Sequence, residues 1–232
     1  MSNFKLAIGA GHYLGTAGRR IPAALDKQQT KEWQLNDRVA RYVEEAARQY
    51  EGVEILRVDD PLGVLKIEVA DRCKAANAWG SDFCLSIHHN GFQGKPWDGG
   101  GVTAFSAPGD RTSAVYRNAI YDAVVTAGGL RGNRASPKQE KAYKALTLTN
   151  APAVLVEYGF MDSKADAPVI LTEEYAKAVG YATMEAIAKV AGLKKKPRLY
   201  RVQVGAFAKE AYAQAMLEKL EKAGFPGYIK EE

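Results

Sequence analysis

Histidine and cysteine are scarce in this 232-residue chain, which contains three histidines and two cysteines. So few cysteines exclude a small fold stapled by several disulfide bonds, and Cys73 and Cys84 are expected to be reduced core residues because both lie in apolar stretches. No apolar run reaches the roughly 20 residues of a transmembrane helix, so membrane insertion is not expected. With so few histidines, the position of each one is informative, because histidine is the commonest metal ligand.

The N-terminal stretch also lacks the pattern of a secretory signal. MSNFKLAIGAGH passes directly from Met1 into an apolar strand-like run, without a basic segment, a long apolar segment and a small-residue cleavage site. We therefore expect synthesis in the cytoplasm without a signal peptide, and any action outside the cell to need release through a pore or by lysis.

Positive charge is in modest excess, and most of the excess lies near the C-terminal end of the chain. The net charge is +5, of which residues 194–232 carry +4, from nine basic and five acidic side chains, and residues 1–193 carry +1. A nearly neutral main body argues against a nucleic-acid-binding surface there. The basic tail is instead expected to meet an anionic polymer such as those of cell walls.

Short apolar runs alternate with amphipathic helical patterns along residues 1–193. This order predicts an α/β fold, a three-layer αβα sandwich in which helices cover both faces of a mostly parallel or mixed, twisted sheet. The predicted strands are 4–9, 53–58, 83–91, 101–106 and 151–160, and the predicted helices are 30–49, 66–79, 110–127 and 173–191, the first capped by Thr30. Residues 128–147 are predicted to form a surface loop with some helix.

Two of the predicted strands end in histidine. FCLSIHHNG alternates apolar and polar residues and delivers His88 and His89 to opposite faces, so at most one of them can enter a given site. KLAIGAGH ends in His12. A single histidine at the end of a strand more often forms hydrogen bonds within the fold than binds a metal. Two histidines at strand exits suggest a shared metal site.

Two carboxylates accompany these histidines. Glu157 is the charged residue of the apolar run APAVLVEYGF, and a buried carboxylate needs a cation, a metal or a raised pKa. Glu32 falls in the first turn of a predicted helix, where it could simply stabilise the positive helix end. With His12 and His88 they match the donor set of a hydrolytic zinc site, although no compact HExxH motif supports this.

Four segments carry a family resemblance. AIGAGH, KEWQLN, DRCKAANAWGSDFCLSIHHN and APAVLVEYGF resemble, in order and spacing, the zinc-dependent N-acetylmuramoyl-L-alanine amidases of the Amidase_3 family over about residues 4–190. The resemblance implies a mixed sheet flanked by helices. It also implies lysis of peptidoglycan by hydrolysis of the amide between N-acetylmuramic acid and L-alanine. Arg72, Asn77 and Asn90 adjoin these motifs and are expected to brace loops.

The same resemblance assigns roles to individual residues. The family's Gly-His falls on His12, its helix-start glutamate on Glu32 and the histidine of its S-[IL]-H-x-N motif on His88, which implies one Zn²⁺ per chain held by these three side chains. The glutamate of its L-x-E-x-G-F motif falls on Glu157, which implies a catalytic general acid and base. His89 occupies a variable position and receives no metal role.

The tail has a resemblance of its own. We expect a catalytic domain at 1–193, a basic linker at 194–199 and a small βαβ unit at 200–232 built from LYRVQVGAF, a helix and GFPGYI. This unit resembles half of a SPOR peptidoglycan-binding domain. Because so short a segment buries little core, two tails are predicted to pair in a homodimer. A poorly ordered appendage is the alternative.

Other functions stay open at this point. A zinc peptidase acting on wall peptides would share the α/β layout, and a non-catalytic peptidoglycan-binding protein would share the tail. An amidase without a signal peptide suits either a phage endolysin or an autolysin freed when a mother cell lyses, and the sequence favours the first.

Overall fold

The computed structural model describes residues 3–133, 135–197 and 202–231. The chain forms two compact units, Met1–Lys196 and Pro197–Glu232. Across the described ranges, none of the helices combines the length and the apolar character that crossing a membrane requires.

A six-stranded mixed sheet forms the centre of the first unit. Its strands are β1 (Phe4–Ala10), β2 (Val53–Arg57), β3 (Phe83–Asn90), β4 (Thr103–Ser106), β5 (Lys138–Glu140) and β6 (Ala153–Phe160), in the spatial order β2-β1-β3-β6-β4-β5. The β2, β1, β3 and β6 strands are mutually parallel, whereas β4 runs antiparallel to β6 and parallel to β5. The predicted mixed sheet is confirmed.

Helices cover both faces of this sheet. They are α1 (Glu32–Ala47), α2 (Val69–Trp79), α3 (Arg111–Gly128), α4 (Lys144–Thr147), α5 (Ala167–Ile170) and α6 (Glu173–Ala191). The larger core lies between one face and α1, α3 and α6, where side chains such as Val39, Ile120 and Ile187 are fully buried or nearly so. A smaller core lies under α2 and α4 and includes Ala76 and Leu146. The predicted three layers are confirmed.

The predicted starts of the first two helices are early by two and three residues. Helix α1 begins at Glu32 with Lys31 as its N-cap, not after a Thr30 cap. Thr30 instead belongs to the preceding turn, where its amide donates to Asp26 Oδ2 at 2.7 Å. Helix α2 begins at Val69, since the backbone of Glu68 is still extended. The predicted loop 128–147 contains β5 and α4, which are too short to leave a periodic pattern.

The described part of the second unit contains one helix, α7 (Glu210–Lys222), where the tail helix was predicted. No strand is present in residues 202–231, so the two strands predicted there are wrong within the described part; residues 199–201, where the first of them begins, lie outside it. A strand needs a hydrogen-bonded neighbour, and a unit of this size offers too little sheet to supply one.

The start of the predicted linker 194–199 is attached to the first unit. The amide of Glu51 donates to the Lys194 carbonyl at 2.9 Å, and the amide of Lys196 donates to the Gln49 carbonyl at 2.7 Å. Residues 194–196 therefore extend the body past α6. The remaining domain boundaries stay a prediction.

Candidate active site

The exits of β1 and β3 bring His12 and His88 together. The two strands are parallel neighbours, so their C-terminal ends lie on the same edge of the sheet. His88 is the sixth residue of β3, and His12 follows β1 with φ of 66°, an uncommon backbone conformation for a non-glycine residue. The two imidazole rings lie edge to face with centroids 5.3 Å apart.

Glu32 reaches both histidines from the first turn of α1. Its side chain is 1% exposed; Oε1 lies 3.1 Å from His88 Nδ1 and Oε2 lies 3.2 Å from His12 Nε2. One potential ligand atom from each of the three residues falls within 4.8 Å of the others. The structure therefore assembles, among the described residues, the three side chains that the sequence resemblance assigned to a metal.

The local chemistry of this cluster fits Zn²⁺. Two imidazoles and one carboxylate are the donor set of catalytic zinc sites, which keep a fourth position open. Within the described part of the chain, Glu32 Oε2 is buried and accepts no hydrogen bond. A buried carboxylate oxygen without a hydrogen bond is costly unless a cation approaches it. The neutral His12 ring lies 3.2 Å from this oxygen and the Arg19 guanidinium approaches it only to 3.9 Å, so the oxygen can still bind a cation held between His12 and His88.

Glu157 stands beside this cluster on the neighbouring strand. In the β3 and β6 ladder it is the direct partner of His88, so the two side chains share one face of the sheet. Burial raises the pKa of Glu157 to about 7, with the nearby Glu32 charge acting in the same direction and His88 acting against both. Its Oε2 is buried without a hydrogen-bond partner among the described residues. Such a carboxyl group can both accept and donate a proton near neutral pH.

Burial and charge act differently on the two histidines. Burial lowers the pKa of His12 to about 4, so its imidazole is neutral and able to bind a metal. Burial also works against the charged form of His88, but the hydrogen bond to Glu32 and the charges of Glu157 and Glu32 outweigh it and raise the pKa of His88. Metal binding at His88 would therefore release a proton.

Comparison with known proteins agrees with this geometry. The family model described as N-acetylmuramoyl-L-alanine amidase matches residues 6–189, well over half of the chain. The chain belongs to this amidase family. A SPOR domain model matches residues 196–232, so the amidase carries a SPOR-like segment at its C-terminal end.

Individual relatives give the same assignment. The amidase is similar to the sporulation-specific N-acetylmuramoyl-L-alanine amidase of Bacillus subtilis, with 30% identity over 185 residues that cover 78% of this chain and 68% of the relative. It is 26% identical over 228 residues to the amidase CwlM of Bacillus licheniformis, covering 97% and 84% of the two chains. Its fold matches an N-acetylmuramoyl-L-alanine amidase of Clostridium difficile 630 with a TM-score of 0.74 at 18% identity, covering 83% and 98%.

His89 lies on the opposite face of β3, as strand alternation predicted. It is 1% exposed, and its Nδ1 is 2.8 Å from Asn36 Oδ1. Asn36 in turn donates to the Gly11 carbonyl at 3.1 Å, so the pair links α1 and β3 to the loop that carries His12. Sequence reasoning did not identify Asn36, although a polar residue one helical turn after Glu32 on the buried face was an available signal.

Arg72 braces the same loop from α2. Its guanidinium donates to the carbonyl oxygens of Ala10 at 2.5 Å, His12 at 2.8 Å and Ile67 at 2.9 Å. These bonds hold the uncommon backbone conformation of His12 in place. Arg72 is therefore a positioning residue in the amidase, in line with the bracing expected from the sequence.

Asp162 and Asp166 organise the glycine-rich loop 91–101, and sequence reasoning missed both. Asp162 Oδ2 accepts hydrogen bonds from the amides of residues 92, 93 and 94 at 2.8, 2.8 and 2.9 Å, and Oδ1 accepts one from the Trp97 indole at 3.1 Å. Asp166 Oδ2 accepts from the amides of Gly101 at 2.5 Å and Phe160 at 2.9 Å. The only available signal was two acidic residues directly after a buried strand.

A cavity opens beside the candidate metal ligands. It has a volume of about 470 Å³ and lies between the exits of β1 and β3 and helix α2. Its lining includes His12, His88, Val58, Arg72 and Leu85. In the amidase this cavity leaves room for substrate next to the proposed catalytic groups.

Proposed function

We propose that this chain is a zinc-dependent N-acetylmuramoyl-L-alanine amidase that hydrolyses the bond between the lactyl group of N-acetylmuramic acid and L-alanine. Family membership supports the reaction. The observation that carries the zinc dependence is the cluster of His12, Glu32 and His88 beside Glu157 at one edge of the sheet. Bound there, Zn²⁺ would polarise the scissile carbonyl and make a bound water more acidic.

Glu157 is the residue that moves protons in this proposal. As the water oxygen bonds to the carbonyl carbon, Glu157 accepts a proton from the water. As the carbon–nitrogen bond breaks, it passes that proton to the nitrogen of L-alanine, because an amide expels its amine poorly unless the nitrogen is protonated. Burial raises the pKa of Glu157 to about 7 in the metal-free site, and Zn²⁺ bound nearby would lower it, which favours the carboxylate form that accepts the proton of the water.

The decisive experiment separates bond types and metal dependence. Purified protein is incubated with peptidoglycan with and without a chelator, and newly exposed L-alanine amino groups and reducing sugars are measured. We expect alanine amines that disappear with chelator and return with Zn²⁺, without new reducing sugars. New amino groups on stem-peptide residues other than L-alanine would indicate a zinc peptidase. Binding to peptidoglycan without release of any amino group would indicate a non-catalytic wall-binding protein.

We propose further that the second unit binds peptidoglycan and pairs with a second copy. Helix α7 has no buried residue, although its amphipathic sequence is typical of a packed helix. Several large apolar side chains of this unit are exposed, namely Val202, Val204, Phe207, Tyr212, Phe225, Tyr228 and Ile229. Pairing two units would bury such a surface and would give the two flanking segments strand partners.

Light scattering tests the pairing directly. The full chain is expected to have twice the mass of a monomer, and a shortened chain ending at Lys196 is expected to be monomeric. Equal monomeric masses for both would contradict the homodimer, and unchanged sedimentation of the shortened chain with peptidoglycan would contradict wall binding by the tail. The biological setting, a phage endolysin or a mother-cell autolysin that reaches the wall after release, stays a prediction.

A further inference from the structure

An exposed aromatic pair lies on the loop that follows β3. The side chain of Phe92 is 65% exposed, and its ring centroid is 4.7 Å from that of Trp97 at an interplanar angle of 35°. Trp97 packs in turn against the buried Phe160, with centroids 5.4 Å apart. The phenyl ring of Phe92 is therefore accessible to a ligand and is supported on its inner side by a second aromatic ring.

The backbone under this pair is held firmly. The Phe92 amide and its next two neighbours donate to Asp162, and the Trp97 indole donates to the other oxygen of that carboxylate. The Trp97 backbone adds hydrogen bonds with Asp162 and Lys164 at 3.1 and 3.0 Å. The rings are therefore oriented before any ligand arrives, which reduces the entropy that binding would otherwise lose.

The pair lies at the edge of the sheet that carries the candidate active site. Phe92 follows His88 by four residues, so their Cα atoms are at most about 14 Å apart even if the chain between them is fully extended. Asn90, between them, pairs with Phe160 in the ladder that also joins His88 to Glu157. The aromatic pair is therefore close enough to the proposed catalytic groups for one glycan strand to reach both.

We propose that Phe92, backed by Trp97, is a stacking platform for a pyranose ring of the glycan strand, adjacent to the N-acetylmuramic acid whose amide is cleaved. This inference rests on the proposed function. The apolar face of a pyranose suits a flat ring that has no polar atoms. The charged side chains of the loop are Lys95 and Asp98, and Asp98 is paired with Lys164 at 3.0 Å, so the loop presents no cluster of positive charge to attract the carboxylates of a stem peptide.

Binding can be measured without turnover. Peptide-free oligosaccharides of alternating N-acetylglucosamine and N-acetylmuramic acid contain no scissile amide, and they are titrated into the full-length protein while tryptophan fluorescence is recorded. All three tryptophans precede the tail, so the signal reports the first unit. The variant is Phe92→Ala, which keeps the backbone amide bound by Asp162. The matched control is Val115→Ala, an exposed apolar residue on α3.

We expect a saturable signal in the wild type and an apparent Kd raised by roughly 3- to 10-fold in Phe92→Ala, a loss of the size typical of one aromatic contact. Val115→Ala should match the wild type. In activity assays, Phe92→Ala should raise KM for long glycan chains with kcat preserved, and should leave KM unchanged for a single N-acetylmuramic acid carrying the peptide.

Two binding results would overturn the platform: an absent signal in the wild type, or equal Kd values for wild type and Phe92→Ala. Both are independent of the amidase assay. A protein that binds the oligosaccharides through Phe92 yet releases no alanine amines would refute the proposed function alone. If the wild-type protein releases alanine amines and Phe92→Ala has the same KM as the wild type for long glycan chains, the platform alone is refuted.

Discussion

Replacing Gly11 by alanine should disable the candidate metal site through a single methyl group. A Cβ atom added at Gly11 would lie 2.6 Å from His88 Nε2 and closer still to Cε1 and Nδ1 of the same ring. Optimal carbon contacts are about 3.5–4.0 Å, so the imidazole would have to move by roughly 1 Å or more. The backbone of Gly11 does not occupy the positive-φ region, so alanine is acceptable there apart from this contact.

The displacement would act on an arrangement with little freedom. His88 Nδ1 is 3.1 Å from Glu32 Oε1, and the opposing His12 ring lies 5.3 Å from the His88 ring, so the imidazole cannot shift without changing the distances among the three ligands. Disturbing groups that orient a metal ligand typically costs about 10- to 100-fold in affinity. A misplacement of about 1 Å costs on the order of 100-fold in catalysis. We therefore expect losses of that size in Zn²⁺ affinity and in kcat/KM.

Zn²⁺ affinity is measured by competition with a chromogenic chelator, and activity by release of alanine amines. The control is Gly91→Ala at the exit of β3, where an added Cβ would meet only Met161 Cε at 3.8 Å, an ordinary contact. Both variants should remain folded by circular dichroism. A Gly11→Ala protein that binds Zn²⁺ and turns over within twofold of Gly91→Ala would refute the placement of His88 in the metal site.

Further predictions concern catalysis, bracing and the loop. Glu157→Gln should retain about one Zn²⁺ per chain while kcat falls by about 10²–10⁴, the range for loss of a general acid or base; metal content and amine release check this, and normal turnover would contradict the role. Arg72→Ala should lower the free energy of unfolding by about 3 kcal/mol, because carbonyls of Ala10, His12 and Ile67 lose a charged donor. Urea titration measures this loss, and Arg72→Lys should recover part of it. Asp162→Ala should cost a similar amount, about 3 kcal/mol, since three amides and an indole lose their acceptor. An unchanged urea midpoint for Asp162→Ala would show that the loop does not depend on this carboxylate.

The layered α/β fold could be predicted because its strands and long helices have clear periodicity. Helix α6, Glu173–Ala191, was predicted with the bounds observed, since an amphipathic pattern of this length is strongly periodic. Residues 128–147 were predicted only as a loop with some helix: β5 was not predicted and α4 was not located, because three or four residues contain no full period. The tail strands were predicted from a motif, and their absence in residues 202–231 reflects that a strand depends on a neighbour outside its own sequence.

The sequence by itself determined which side chains could form the site. Strand alternation separated His88 from His89, the scarcity of histidine drew attention to His12, and the family motifs selected Glu32 and Glu157. Strand alternation and the cost of a charge inside an apolar run drew attention to His88 and Glu157, whereas the roles of the four residues rest on the family resemblance.

Only the tertiary structure decided the contacts between distant segments. It placed Glu32 between two histidines of separate strands and brought Arg72 to the loop that carries His12. It also joined Asp162 to the loop after β3, 68 to 70 residues away in the chain. The physical reason is that a carboxylate or guanidinium bonds to whatever donor or acceptor folding brings within about 3 Å, and backbone amides and carbonyls leave no mark in the sequence.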